Sequence, residues 1–254
     1  MYSIIWWSLL ISLAINLIMF LLAYKLRSDK LTDISYAVSF LVLAIYALAS
    51  TSSPKALSLV IFFMSTLWSL RIGSFLLRRV LKVGKDKRFD EMRGHFLKFG
   101  KFWLGQALTA WLLMIPAELA IHSNRNIKFF VFIGMAVWAI GLIAESIADW
   151  QKFSFHERKT KTHPWIDEGI WKYSRHPNYF GEISVWLGIY IASFSALTVV
   201  QKLIGLISPV FITLLLLFVS GVPILEKSAD ERWGEDKDYV SYKERTRLII
   251  PLPK

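Results

Sequence analysis

Leu203-Ile-Gly-Leu-Ile-Ser-Pro-Val-Phe-Ile-Thr-Leu-Leu-Leu-Leu-Phe-Val-Ser-Gly-Val-Pro-Ile-Leu225 runs for 23 residues without a charge. A helix needs about 20 mostly apolar residues to cross the hydrocarbon of a bilayer, so this stretch is long enough to do so. Working outward from it, six more windows read the same way: 4–24, 34–50, 56–70, 102–121, 129–148 and 183–200. The 56–70 window is short, which suits a tilted or well-packed helix. The first is too long and too weakly basic at its start for a signal peptide, so it counts as a helix. The composition agrees. Of 254 residues, 55% are hydrophobic, 15% aromatic and 19% charged, and the mean hydropathy is +0.45. A soluble domain of this size could not hide that much apolar surface. The chain has no cysteine, which excludes a disulfide scaffold, a thiolate nucleophile and an Fe–S cluster. The expected fold is all-α: a polytopic bundle of about seven transmembrane helices forming a single domain over 1–254.

Charge sets the expected orientation. The segments 25–33, 71–101, 151–182 and 226–254 hold 3, 10, 6 and 7 Lys and Arg, which is 26 of the 30. The four alternating segments hold 0, 1, 2 and 1. By the positive-inside rule the N-terminus lies outside and the C-terminus in the cytoplasm. The net charge of +11 is thereby concentrated on one face. Attraction to anionic lipid explains basic loops in general. It does not explain why these loops also carry His, Asn, Asp, Glu and aromatics at tight spacing. No soluble domain or basic helix is left over to bind nucleic acid.

The densest of these clusters is Tyr173-Ser-Arg175-His176-Pro177-Asn178-Tyr-Phe-Gly181-Glu182, at the mouth of the 183–200 window. Pro177 suits the first turn of a helix. Asn178 and Glu182 then share one face, and Gly181 permits a close approach. The plain alternative is a capped helix with an Arg175–Glu182 ion pair. A second cluster, Glu145-Ser-Ile-Ala-Asp149-Trp-Gln-Lys152-Phe, sets two carboxylates one turn apart at a helix C-terminus. Their repulsion and the helix dipole call for compensation by Arg175, by Lys152 or by a ligand. No His stands in ligand spacing with them, so no metal site is expected. A third holds Arg71, Arg78 and Arg79 near one helical stripe, then Gly84-Lys-Asp-Lys-Arg88-Phe and Arg93; snorkelling is its plain alternative. The fourth is the tail, from Glu226 through Asp230, Trp233, Tyr239, Tyr242, Arg245 and Arg247 to Pro251, which is expected to fold back on the bundle. Gln106 offers an interhelical hydrogen bond and Pro116 a kink. Neither a dinucleotide fingerprint nor a Walker sequence is present.

The block Gly169-Ile-Trp-Lys-Tyr-Ser-Arg175-His176-Pro-Asn178-Tyr-Phe-Gly181-Glu182 resembles the signature of the steroid 5-alpha-reductase superfamily, in particular its prokaryotic branch of membrane proteins. The resemblance extends to Asp33, Arg71, Asp86-Lys-Arg88-Phe, Gln106, Pro116, Glu145, Asp149, Ser220-Gly-Val-Pro, Glu226 and the closing Tyr242-Lys-x-Arg-Thr. It implies seven helices and an NADPH site among the cytoplasmic helix ends and the loops 71–101, 151–182 and 226–254. By position, Asn178 and Glu182 would meet the nicotinamide end and Asp149, with Glu145 beside it, the ribose side. Arg88 and Arg175 would lie near the phosphates, Arg71 and His176 would be further cofactor-binding residues, and Asp230 and Tyr242 would close the pocket. Steroid-reducing members carry a Glu in the second helix with a Tyr nearby. Here that helix has no Glu, and Asp33 with Tyr36 stands in.

The chemistry so implied is hydride transfer from NADPH to a C=C bond, conjugated to a carbonyl, of a steroid- or isoprenoid-like lipid. Asp33 and Tyr36 would act at the carbonyl. The expected protein is a monomer in the inner or plasma membrane, with lipids and a lipid-like substrate as its partners. Two other readings stay open. An isoprenylcysteine-type methyltransferase using S-adenosylmethionine shares an Arg-His-Pro-x-Tyr-x-Gly block. A non-enzymatic lipid-binding protein would need only the basic face.

Overall fold

The structure, a computed structural model, describes residues 3–83, 89–123 and 125–254. Arg88, one of the expected phosphate ligands, lies outside them. The described chain is nearly all helical: α1 (Ser3–Lys25), α2 (Lys30–Ala49), α3 (Ala56–Val83), α4 (Phe96–His122), α5 (Phe129–Glu157), α6 (Pro177–Ser193), α7 (Val199–Gly205), α8 (Ile207–Leu214), α9 (Val222–Trp233) and α10 (Lys237–Arg245). No strand occurs among the described residues, only an isolated parallel bridge between Ser174 and Arg247. Among the described residues six stretches are helical, long and apolar enough to cross a membrane: α1, α2, Ala56–Lys82, α4, α5 and Val199–Trp233. The chain is an all-α protein of the integral-membrane type.

The expected windows and the helices differ in three places. The short 56–70 window opens a helix that continues to Val83, so Arg71, Arg78 and Arg79 lie within α3. The 183–200 window is interrupted, because α6 stops at Ser193 after 17 residues. Thr198 then caps α7 by accepting from the Gln201 N–H, while the Gln201 side chain accepts from the Thr198 N–H, a reciprocal capping box. The 203–225 window is likewise divided, with a π-helical turn at Leu215–Val219 before α9.

The described residues fall into two units, one of Met1–Met135 with Ile189–Ser208 and one of Ala136–Gly188 with Pro209–Lys254. In the first, α4 is the central helix, and every side chain from Leu113 to Ile121 is buried. Polar side chains tie α1, α2 and α4 together. Gln106 donates to Asn16 Oδ1 over 3.0 Å and to Ser35 Oγ over 2.7 Å, and Asn16 donates to Ser39 Oγ over 3.0 Å. Gln106 is therefore the interhelical bridge its sequence position suggested. Where water is absent, such bonds and close contacts hold helices together in place of the hydrophobic effect. Aromatic edges do the rest, as where Phe40 meets Trp68 at 4.9 Å and 90°.

In the second unit, α5 and α6 cross at their glycines. A Cβ on Gly181 would stand 2.5 Å from Glu145 Cβ and 2.7 Å from the Gly141 carbonyl oxygen. Only residues without a side chain let two helix backbones come this close. Further along α5, Ala148 accepts from the Trp171 indole N–H over 3.0 Å. Gln151 accepts from the Ile170 N–H over 3.0 Å. Gly169 turns the chain there with φ +58°, a conformation that glycine adopts without strain.

Candidate functional site

Glu226, on the first turns of α9, is the hub of the second unit's polar cluster. Arg175 approaches it as a fork, Nε donating to Oε1 and Nη2 lying 3.2 Å from Oε2. His176 Nε2 donates to Oε1 over 2.8 Å, and Lys243 Nζ stands 3.5 Å from Oε2. Lys243 also binds Asp230 at 2.6 Å. The second end of the Arg175 guanidinium donates to the carbonyls of Lys243 and Thr246, both at 2.9 Å. Arg175 thus pairs with Glu226, 51 residues on, and not with Glu182 or the Glu145–Asp149 pair. Fork geometry and charge make these the strong hydrogen bonds of the cluster.

The tail is laid down by main-chain bonds. The Arg175 N–H donates to the Arg247 carbonyl over 2.9 Å and the His176 N–H to that of Leu248 over 3.0 Å. The Ser174 hydroxyl donates to the Ile249 carbonyl over 2.7 Å. The expected fold-back of the tail is therefore present, and it brings α10 over the 165–176 segment. There the Tyr242 hydroxyl donates to the Trp171 carbonyl over 2.9 Å.

Between these parts lies a cleft of about 240 Å³, lined by Lys152 and His156 of α5, by Trp165 and Trp171, by Arg175 and His176, by Glu226, Arg232 and Trp233 of α9, and by Tyr239 and Tyr242 of α10. Trp165 meets Trp233 at 5.7 Å and Tyr239 at 5.2 Å, so one wall is aromatic. Lys152 sits over the Trp171 ring at 4.9 Å. Trp165 is 5% exposed, and its Nε1 has no hydrogen-bond acceptor among the described residues. Burial pushes the Tyr242 hydroxyl above the ordinary tyrosine value. It does the same for Tyr239, with Glu226 and Asp230 adding to it, up to about 12. Both are neutral donors at physiological pH. Burial lowers the His176 imidazole, against the opposing pull of the Glu226 carboxylate, which favours the neutral ring. Tyr179 stacks on it, ring centres 5.4 Å apart.

Of the residues expected from sequence, Arg175, His176 and Tyr242 line this cleft, and Asp230 is fixed beside it through Lys243. Glu145, Asp149, Asn178 and Glu182 are in the same unit but do not line it. Glu145 is buried against Gly181, and Asn178 and Glu182 flank that glycine on α6. Arg71, Asp33 and Tyr36 belong to the first unit. There Arg71 lies over the Phe75 ring at 5.7 Å, Asp33 is ion-paired with Arg79 at 2.7 Å, and Tyr36 packs edge-on against Phe40 at 4.9 Å. Sequence reasoning passed over Trp165, which stands alone in a His-Pro-Trp step with no periodic partner. Glu226 was quoted there only within the tail and the family resemblance; its role is visible once Arg175, His176 and Lys243, from two distant segments, meet it.

The architecture defines an all-helical membrane protein with a polar, aromatic cleft built from its C-terminal half. Residues 19–246 match the family described as "Protein of unknown function (DUF1295)", and the chain belongs to that family. It is also similar to an uncharacterized protein of Schizosaccharomyces pombe, at 24% identity over an alignment of 192 residues, with 64% of this chain covered. The chain matches 56% of that protein's length. No solved structure matches it.

Proposed function

We propose that this chain is a membrane-embedded, NADPH-dependent reductase acting on a C=C bond conjugated to a carbonyl in a steroid- or isoprenoid-like lipid, with its cofactor cleft on the cytoplasmic side. The observation that carries the reading is the orphaned Trp165 N–H in the wall of an aromatic and cationic cleft. A buried donor without an acceptor costs about 1–3 kcal/mol, so its place in a cleft wall points to an acceptor brought by a ligand. The flat aromatic walls suit a planar ring, and Lys152 and Arg232 suit a phosphate. At about 240 Å³ the cleft is below the ~300–1,000 Å³ usual for small-molecule sites. It therefore suits one end of a dinucleotide. The signature from Arg175 to Glu182 supports the same class, with Asn178 donating to a carboxamide oxygen and Glu182 accepting from its NH2. NADPH, when bound, supplies the hydride. Asp33 and Tyr36 are the residues this reading assigns to proton supply at the carbonyl.

The aromatic walls also favour a second reading. A sulfonium cation is attracted to the faces of Trp and Tyr, which keeps S-adenosylmethionine and a methyltransferase in view. Titrating both cofactors against wild type, Trp165→Phe, Asn178→Ala and Asn178→Asp, with melting temperature as the readout, separates the two. NADPH is expected to stabilise the wild type. Trp165→Phe keeps the ring and loses the donor, for about a fivefold loss of affinity. Asn178→Ala should lose ten- to a hundredfold, and Asn178→Asp more. Stabilisation by S-adenosylmethionine alone, kept in Asn178→Asp, overturns the reductase.

A further inference from the structure

The tail beyond α10 presents an apolar face that the cleft does not use. Exposure alternates along it: Leu248, Ile250 and Leu252 are 37%, 46% and 56% exposed, while Ile249 and Pro251 are half-buried. The segment bends through 248–250 and the Leu252 N–H donates to the Ile250 carbonyl over 2.8 Å, so it turns along its course while keeping one side held and the other free. The held side is the one bonded to Ser174, Arg175 and His176, immediately before α6 begins at Pro177. The free side is thus fixed within a few residues of the mouth of an apolar helix. Its surroundings are cationic. From 245 to 254 the chain carries Arg245, Arg247 and Lys254 and no acid; Glu244 precedes them, Arg245 stands 3.9 Å from Asp167, and Lys172 with the half-exposed Tyr173 lies next to Ser174.

We propose that residues 246–252 form an interfacial strap that rests on the anionic headgroup layer of the bilayer, with Leu248, Ile250 and Leu252 dipping into its apolar boundary. Three aliphatic side chains beside cations, level with a helix mouth, match the two attractions that hold a segment in the membrane interface: apolar burial and pairing with anionic lipid. Tyr173, with its apolar ring and polar tip, suits the same layer. The strap acts as a short staple. It holds the mouth of α6 and the end of α10 to one membrane depth.

The chain has no cysteine, so Ile250→Cys offers one unique site for an environment-sensitive fluorophore. The labelled protein goes into nanodiscs of phosphatidylcholine, with and without phosphatidylglycerol, whose acyl chains are brominated. The expected result is quenching by the brominated chains that deepens with phosphatidylglycerol and relaxes at high salt. Arg245→Gln with Lys254→Gln should lower the embedded-to-free ratio by about fivefold per cation removed. An unquenched label overturns the proposal, whether the face is bathed in water or covered by another protein. Equal quenching with and without phosphatidylglycerol overturns the anionic part. Leu252→Cys, on the same face and more exposed, repeats the measurement if Ile250→Cys does not fold.

Discussion

Replacing Gly181 by alanine tests the α5–α6 crossing on which the signature stands. The added Cβ would lie 2.5 Å from Glu145 Cβ, 2.6 Å from the Glu145 backbone nitrogen and 2.7 Å from the Gly141 carbonyl oxygen. Ordinary contacts at a Cβ are 3.4–4 Å, and two of these three neighbours are main chain. No rotamer change can relieve them. The helices must part by about 1 Å, and overpacking of this kind costs about 1–3 kcal/mol. For a chain of this size each kcal/mol lowers the melting temperature by about 2–4 °C, so a fall of about 5–10 °C is expected. Intrinsic fluorescence of the 11 tryptophans in detergent reads the transition. Gly141→Ala opens the same gap from the other side, its Cβ 2.7 Å from the Gly181 carbonyl oxygen. Once the helices have parted, the second substitution costs less, so the double variant should fall short of the sum. Gly105→Ala in α4 is the control, since its Cβ meets nothing within 4 Å. Helix propensity should make it neutral or mildly stabilising. A Gly181→Ala protein that melts with the wild type, or a strictly additive double variant, would show that the helices do not meet at these glycines.

Glu226→Ala leaves Arg175, His176 and Lys243 without their common acceptor. Complete burial would cost about 3–5 kcal/mol; with Glu226 18% exposed, a loss of about 2 kcal/mol in denaturant or thermal unfolding is expected, and none at all would deny the hub. His176 has a folded-state value below its unfolded one, so the unfolded chain binds the extra proton between the two. Its contribution to stability is complete above about pH 6.5 and is lost as pH falls from there toward the folded value. Melting temperatures of wild type and His176→Gln should therefore converge as pH falls below about 6.5, and a constant gap would contradict this. Reporter fusions after Lys254 should read cytoplasm and N-terminal tags the outside; both ends on one side would refute the charge-based orientation. Arg88→Ala should weaken NADPH binding and narrow the preference over NADH, checked by titration; an unchanged ratio of affinities would remove this arginine from the phosphate site.

The membrane spans were legible because hydropathy is a local property, read in windows the length of one helix. Where the reading slipped, a second local signal was competing. The apolar run 183–200 hides the Thr198-Val-Val-Gln201 capping box, which starts a new helix inside it. The Arg-rich half of α3 stayed helical past its apolar window because its cations sit on a helix face instead of ending it. The site was legible in kind more than in pairing. Arg175 and His176 stood out as costly at a helix mouth, yet their acceptor is 50 residues and more away, and a single sequence carries no term for so distant a pair. Trp165 had no periodicity to give it away. Its importance lies in a bond it does not make.

The bonds from Arg175 to the Lys243 and Thr246 carbonyls, 68 and 71 residues downstream, have a consequence for biogenesis. The helices that give the chain its membrane character are translated before residue 234, whereas α10 and its Tyr239 and Tyr242 come later. A chain cut short at Gly234 would keep every stretch apolar enough to span the bilayer and lack the α10 face of its cleft. Insertion and completion of the cleft are thus separate events in time. Quality control that senses only exposed apolar helices would pass the first before the second had begun.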